Sequence, residues 1–242
     1  GVFVIKLFSF TEDSPKHFTN ALQKFIDKKT DKLIIDLRGN PGGHLFTAIY
    51  MAGMFLEQGA VILTEDYDGK KENTILKSGE FHNSKETVNI FNDKLKVAIL
   101  VDGGSASASE ILAGALSDHK KAIIMGTTTF GKGTVQQLIP LEKNTSLKVT
   151  VAKWILPNGK WISHEGLAPD IEIEITEEEM IKAQKDGFLS DTIDPQLNRA
   201  INELAKIKNK EAFTTIIEKA EKDRAEKEEK EKEEKIQELL KK

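Results

Sequence analysis

Between Lys96 and Asp118 an apolar run, Lys96-Val-Ala-Ile-Leu-Val101, stops at two glycines, and a helical pattern begins almost at once. This reads as strand, tight turn and helix start. The turn holds Ser105, Ser107 and Ser109, alternating with alanines. It therefore sets serine hydroxyls and unspent backbone N–H groups at an electropositive helix end. A nucleophile there has oxyanion donors beside it. Ser107-Ala-Ser-Glu110 also fits a capping box, so on this stretch alone the serines read first as helix caps, and the rest of the chain has to overturn that.

The same grammar precedes it. Val2–Phe10 reads as a strand, and Ser14-Pro15 opens an amphipathic helix over Pro15–Lys29, with Phe18, Leu22, Phe25 and Ile26 at helical spacing. Lys32–Leu37 is a short buried strand ending in Arg38-Gly-Asn-Pro-Gly-Gly43, and a mostly apolar helix follows over His44–Gln58. Lys121–Gly126 is a further strand. Three alternations of strand and helix imply an α/β fold with a parallel βαβ core.

Added strands are expected over 60–78, around a turn at Asp68-Gly69. Others are expected over Thr134–Leu141 and Ser146–Leu156, with a turn at Asn144-Thr145, and a hairpin turn at Pro157-Asn-Gly159 returns through Lys160–Ser163. Gly79–Asn92 is weakly patterned. Pro169–Ile175 alternates apolar and acidic residues, as an edge strand would. Short helices are expected over Glu177–Lys185 and Pro195–Ile207, the second capped by Asp194. From Asn209 the chain is helical and charged. Phe213, Ile216, Ile217 and Ala220 offer a docking stripe, and the Glu/Lys run from Glu221 to Lys235 is a solvated helix. The division expected is a core over 1–175 and a helical extension over 176–242.

Composition removes several classes of function. The 242 residues carry a net charge of −4, which gives no reason to expect nucleic acid. Without cysteine there is no disulfide framework, thiol nucleophile or thiolate metal site. No apolar run approaches the length of a membrane span, and no signal peptide is visible. The chain begins inside a strand-like run at Gly1, which reads as a fragment. The histidines His17, His44, His82, His119 and His164 show no metal spacing, and His44 is a weak candidate for lining a site.

Geometry gathers the special loops. A helix over Ser107–Asp118 runs about 18 Å one way, and the strand Lys121–Gly126 returns about 20 Å. Lys132, in the loop after that strand, thus comes back to the sheet edge that carries Ser107. The Arg38–Gly43 loop also follows the carboxyl end of a strand, the edge where open α/β sheets bind ligands.

Serine needs a base, and an uncharged lysine serves in Ser–Lys variants of the triad logic. An ordinary lysine titrates near pH 10.4, and bringing such a group to about 7–8 costs roughly 4 kcal/mol at about 1.36 kcal/mol per unit. No acid occurs from Ala122 to Leu141, and Phe130 precedes Lys132, so a low-polarity setting is expected there. A phosphate-binding or surface lysine is the other reading of Lys132. Gly126-Thr-Thr-Thr-Phe-Gly-Lys132 matches GxxxxGK, but Gly133 stands where magnesium needs Ser or Thr, and a strand pattern follows instead of a helix. There is no G-x-S-x-G elbow. Asp36 reads as structural.

The stretches Ser105-Ala-Ser-Ala-Ser-Glu-Ile111, Gly131-Lys-Gly-Thr-Val-Gln136 and Asp36-Leu-Arg-Gly-Asn-Pro-Gly-Gly43 together resemble the carboxyl-terminal processing peptidases, or tail-specific proteases. The resemblance covers about Val2–Ile175 and reaches more weakly to Asp194-Pro-Gln-Leu197. It implies a ClpP/crotonase-like fold with Ser107 as nucleophile, Lys132 as general base and Gln136 orienting the lysine. The backbone N–H groups of Gly43 and Ala108 would form the oxyanion hole. An extended run from Lys132 turns Lys132, Thr134 and Gln136 to one side and Gln137 to the other. Ser105 and Ser109 then revert to caps.

The resemblance further implies a serine endopeptidase acting near the carboxyl ends of protein substrates with apolar tails. No cofactor or metal enters, and the setting is the periplasm or cell envelope. Self-association through the C-terminal helices is a further expectation. Two features depart from the family. The PDZ domain that members carry is expected to lie outside this fragment, and in Lys153–Trp161 a tryptophan, Trp154, stands where tyrosine is frequent, with His164 and Glu165 replacing later glycines. Core packing is the safer reading of Trp154. Two other functions fit such a fold: a non-catalytic binding or scaffold module, and an acyl-CoA enzyme with the same two-amide hole. Neither has a need for Ser107 with Lys132.

Overall fold

The computed structural model describes residues 1–80, 90, 94–142, 145–162, 165–179, 181 and 194–240. Its centre is a five-stranded parallel sheet in the order β1-β2-β5-β6-β9. The strands are β1 (Phe3–Lys6), β2 (Lys32–Asp36), β5 (Lys96–Val101), β6 (Ala122–Gly126) and β9 (Ile171–Glu172). The parallel core expected from the alternation is present. The strand expected over Pro169–Ile175 forms only two paired residues, and it does lie at the sheet edge.

Side-chain alternation gives the three central strands β2, β5 and β6 two buried faces, as buried parallel strands require. Leu33, Ile35, Val97, Ile99, Val101, Ala122 and Ile124 join one core with helices α1 (Ser14–Asp27), α2 (Leu45–Gly53) and α3 (Ala108–Asp118). Ile34, Ala98, Leu100, Ile123 and Met125 face the other way. They pack on Leu197, Ala200 and Leu204 of α4 (Pro195–Lys206) and on Phe213 and Ile217 of α5 (Lys210–Leu240). The docking stripe read from the charged C-terminal region is thus spent on the sheet itself. Burying a side chain of this size is worth about 1.5–3 kcal/mol.

A second, antiparallel sheet has the order β4-β3-β8-β7. Its strands are β3 (Val61–Asp66), β4 (Thr74–Lys77), β7 (Thr134–Pro140) and β8 (Ser146–Ile155). Ile62, Leu63, Trp154 and Leu156 attach it to the first core. Asp68 and Gly69 both have positive φ, 58° and 73°, and make the turn expected between β3 and β4. Beyond Pro157-Asn-Gly159 the return is one bridge, Ile155 to Trp161. The segment 81–89, the Lys143-Asn144 half of one turn, Ser163, His164 and most of the helix expected over 177–185 lie outside the described residues.

Candidate active site

Three loops leave the carboxyl ends of β2, β5 and β6, which are neighbours in the sheet. The first, 38–43, is knotted by the buried Asn40. Its Nδ2 donates to the Leu7 carbonyl at 2.8 Å, and its Oδ1 accepts from the Gly42 N–H at 2.9 Å. Its carbonyl accepts from the Ala106 N–H at 3.1 Å and from Ser109 Oγ at 2.9 Å, which ties the first loop to the second. Phe10 clamps the far end: its N–H donates to the Gly42 carbonyl, and its carbonyl accepts from the His44 N–H. Only glycine fits here. With φ of +98° at Gly42 and +145° at Gly43, a Cβ on Gly43 would lie 2.1 Å from the Phe10 carbonyl oxygen. A Cβ on Gly42 would lie 2.9 Å from both the Ala108 nitrogen and Ser107 Cβ. The glycine loop therefore rests directly against the serine turn.

Ser107 is strained. Its φ of 58° and ψ of −115° belong to the first central position of a type II′ turn, which ordinarily takes glycine. The turn is closed by the Ser109 N–H on the Ala106 carbonyl at 3.1 Å. Such a conformation costs about 1–3 kcal/mol and persists only where its surroundings over-determine it. It is the kind of strand-to-helix corner that G-x-S-x-G enzymes build, reached here without that motif. Among the described residues, neither the Gly43 nor the Ala108 N–H is spent on an acceptor. Both of these donors flank the serine.

Glu110 joins the third loop to the serine. The carboxylate arm of the capping box forms, with the Ser107 N–H donating to Glu110 Oε2 at 2.7 Å. The same oxygen accepts from the Lys132 N–H at 2.9 Å. Oε1 accepts from Thr129 Oγ1 and from the Gly131 N–H, both at 2.6 Å. One fully buried carboxylate, solvated by four donors, thus sets the backbone of Ser107 beside that of Lys132. Glu110 reads from the sequence only as a cap partner; its partners 19–22 residues downstream carry no local signal.

Peptidase family S41 matches residues 1–173 of this sequence. The chain belongs to that family. A carboxy-terminal-processing protease of Bartonella bacilliformis is 40% identical over 174 residues, covering 70% of this chain and 38% of its own length. Carboxy-terminal processing protease CtpA of Bacillus subtilis is 36% identical over 171 residues, covering 71% of this chain and 34% of itself. The chain thus spans little more than a third of these relatives. Among solved structures, a photosystem II D1 C-terminal processing protease superposes with a TM-score of 0.62 at 29% identity, over 71% of this chain and 42% of that one. A Bacteroides fragilis structure described as a putative S41 protease, at 19% identity and TM-score 0.67, shares the fold.

Within this S41 chain the remaining sequence candidates fall as follows. The Lys132 side chain is exposed, so the described residues do not supply the low-polarity setting expected for it. No hydrogen bond among the described residues joins Gln136 to Lys132. A register shift between Val135 and Gln136 interrupts the alternation that would turn those two residues to one side. Gln136 and Gln137 both line an open basin of about 610 Å³ with Tyr67 and Thr150. Ser105 and Ser109 are not caps: their hydroxyls donate to the carbonyls of Leu37 (2.8 Å) and Asn40, stapling the two loops. His44 is exposed beside Gly43. Asp36 is structural, paired with Arg38. Trp154 packs in the core, as the safer reading has it, and Trp161 holds the lysine loop by donating from Nε1 to the Gly133 carbonyl at 2.7 Å. No group of metal-ligating side chains occurs among the described residues.

Proposed function

We propose that this chain is the proteolytic core of a serine endopeptidase that cleaves protein substrates near their carboxyl ends through an acyl-enzyme. The observation that carries the reading is the strained Ser107 corner, flanked by the unspent N–H groups of Gly43 and Ala108. Ser107 Oγ attacks the scissile carbonyl carbon and its proton passes to the uncharged Lys132 amine. The resulting oxyanion is met by the two N–H groups, each worth about 2.7–4 kcal/mol in the transition state. Collapse breaks the C–N bond, and the leaving amine takes the proton from Lys132. Water then attacks the ester and gives a proton to Lys132; as the C–O bond breaks, Lys132 passes that proton to Ser107 Oγ, and the acid leaves with serine and amine restored. Because Lys132 is exposed in the free chain, bound substrate is what excludes water from its amine. Gln136 orients that amine once substrate is in place.

Substrates with apolar tails, and an extracytoplasmic setting in the periplasm or cell envelope, belong to the same reading and rest on the family resemblance. No described helix is long and apolar enough to cross a membrane. The test is cleavage of a protein with an apolar carboxyl tail. Ser107→Ala and Lys132→Ala should each lose at least about 10³-fold in turnover while keeping the wild-type unfolding profile. Undiminished cleavage by both variants overturns the dyad.

A further inference from the structure

The first oxyanion loop starts at Arg38, and Arg38 is held from a distance. Its five N–H donors are all used. Nε donates to Asp36 Oδ1 at 2.9 Å and Nη2 to Asp36 Oδ2 at 2.7 Å. Nη1 and Nη2 also donate to Asp194 Oδ1 and Oδ2, at 3.0 and 2.6 Å, and Nη1 donates to Gln196 Oε1 at 3.0 Å. The Arg38 side chain is only 11% exposed and that of Asp36 only 1%. Asp194 serves two ends at once, because its Oδ1 also accepts the Leu197 N–H as the N-cap of α4. Gln196 in turn donates to the Ile173 carbonyl at 2.7 Å, just past β9. Burial opposes ionisation of Asp194, but the Arg38 and Leu197 hydrogen bonds and the Arg38 charge outweigh it and hold its carboxyl below the usual range. The pair is therefore ionised wherever a serine protease would work.

Asp194 lies beyond residue 173, where the family match ends. We infer that Asp194 is a positioning residue for catalysis, acting through Arg38 on the Gly42–Gly43 oxyanion loop. A guanidinium with every donor satisfied has one orientation, and a bidentate Arg–carboxylate pair fixes that orientation as a fork. Arg38 is four residues before Gly42, and Gly39 is tied at 2.8 Å to Asp102 of the serine loop. Removing the Asp194 charge leaves a largely buried guanidinium one acceptor short and facing a neutral amide, and its nearest means of recovering that acceptor is to move toward solvent, taking the start of the loop with it. The helical segment after residue 193 is in this respect part of the catalytic unit.

The inference rests on the proposed chemistry, and its test separates the two. Asp194→Asn preserves the helix cap, since asparagine caps as well as aspartate, but removes the charge and one Arg38 acceptor. In the full 242-residue chain, below the variant's unfolding transition, three quantities are compared with wild type: acylation by a p-nitrophenyl ester, the Kd of a product peptide, and amide hydrogen exchange over residues 38–44. The expected result is acylation slower by about 10- to 100-fold, as for a misplaced catalytic group, with the peptide Kd unchanged and exchange faster over 38–44. Equal acylation with unchanged exchange overturns the positioning role, as does a fall in acylation matched by the peptide affinity. If wild type is not acylated at all, the proposed chemistry fails. The exchange arm then decides alone whether Asp194 holds the loop.

Discussion

Ser107 carries the strain of the site. Its backbone occupies a turn position made for glycine, and the surroundings that hold it there are the hydrogen bonds that tie the serine turn to the glycine and lysine loops. Ser107→Gly should therefore abolish turnover and stabilise the fold. Relief of about 1–3 kcal/mol of strain outweighs the roughly 0.4–1 kcal/mol by which glycine favours the unfolded chain. The rise expected in a thermal melt is about 2–4 °C, and a fall would show that Ser107 is not strained. The serine corner was legible because strand, glycines and capping box follow each other within a dozen residues. Glu110 was legible only in half, since the sequence shows its bond to Ser107 but not its bonds to Thr129, Gly131 and Lys132. The setting of Lys132 was not legible: a stretch free of acids is not a buried stretch, and Lys132 ends exposed.

Strands and helices were read well where one period dominates, and less well where a distant partner ends them. The helix expected over His44–Gln58 stops at Gly53, and the next turn tightens through Met54 N–H to Met51 and Phe55 N–H to Ala52. The Met54 carbonyl is instead taken by the Ile90 N–H, which no local pattern announces. The strand expected over Val2–Phe10 ends at Lys6, because Phe10 is needed as the partner of Gly43. At the other end of α3, Asp118 accepts from the Asn158 N–H and Nδ2 at 3.1 and 2.9 Å. Burial pushes its carboxyl up to about 6, with Glu221 adding to the rise and Asn158, Arg224 and Lys160 opposing it. A carboxyl raised in the folded state stabilises below its unfolded value near 4, and that contribution is lost as pH rises through about 6. Asp118→Asn should thus gain stability over wild type on going from pH 4 to pH 7, by about 1–2 kcal/mol after allowance for solvent. Equal differences at the two pH values in urea titrations would contradict this.

The sheet is buried on both sides, and among the described residues its second face is closed by α4 and the first part of α5. The division expected at residue 175 separates a core from an extension by composition, whereas burial joins 197–217 to the sheet. Sequence composition could not show this, since Phe213 and Ile217 stand in a charged helix whose later turns are solvated. Phe213→Ala should destabilise the chain by about 3–5 kcal/mol, whereas truncation after Glu229 should change stability by no more than about 0.5 kcal/mol in the same denaturant assay. Comparable losses from both would show that the distal helix is also part of the core. The chemistry across the sheet edge is tested most directly by acid-quenching the chain a few milliseconds after mixing with an activated ester and locating any adduct by peptide mass spectrometry. The prediction is an acyl group on Ser107 that forms at least about 10³-fold more slowly in Lys132→Ala. An adduct on another residue, or acylation of Ser107 at an equal rate without Lys132, would contradict it.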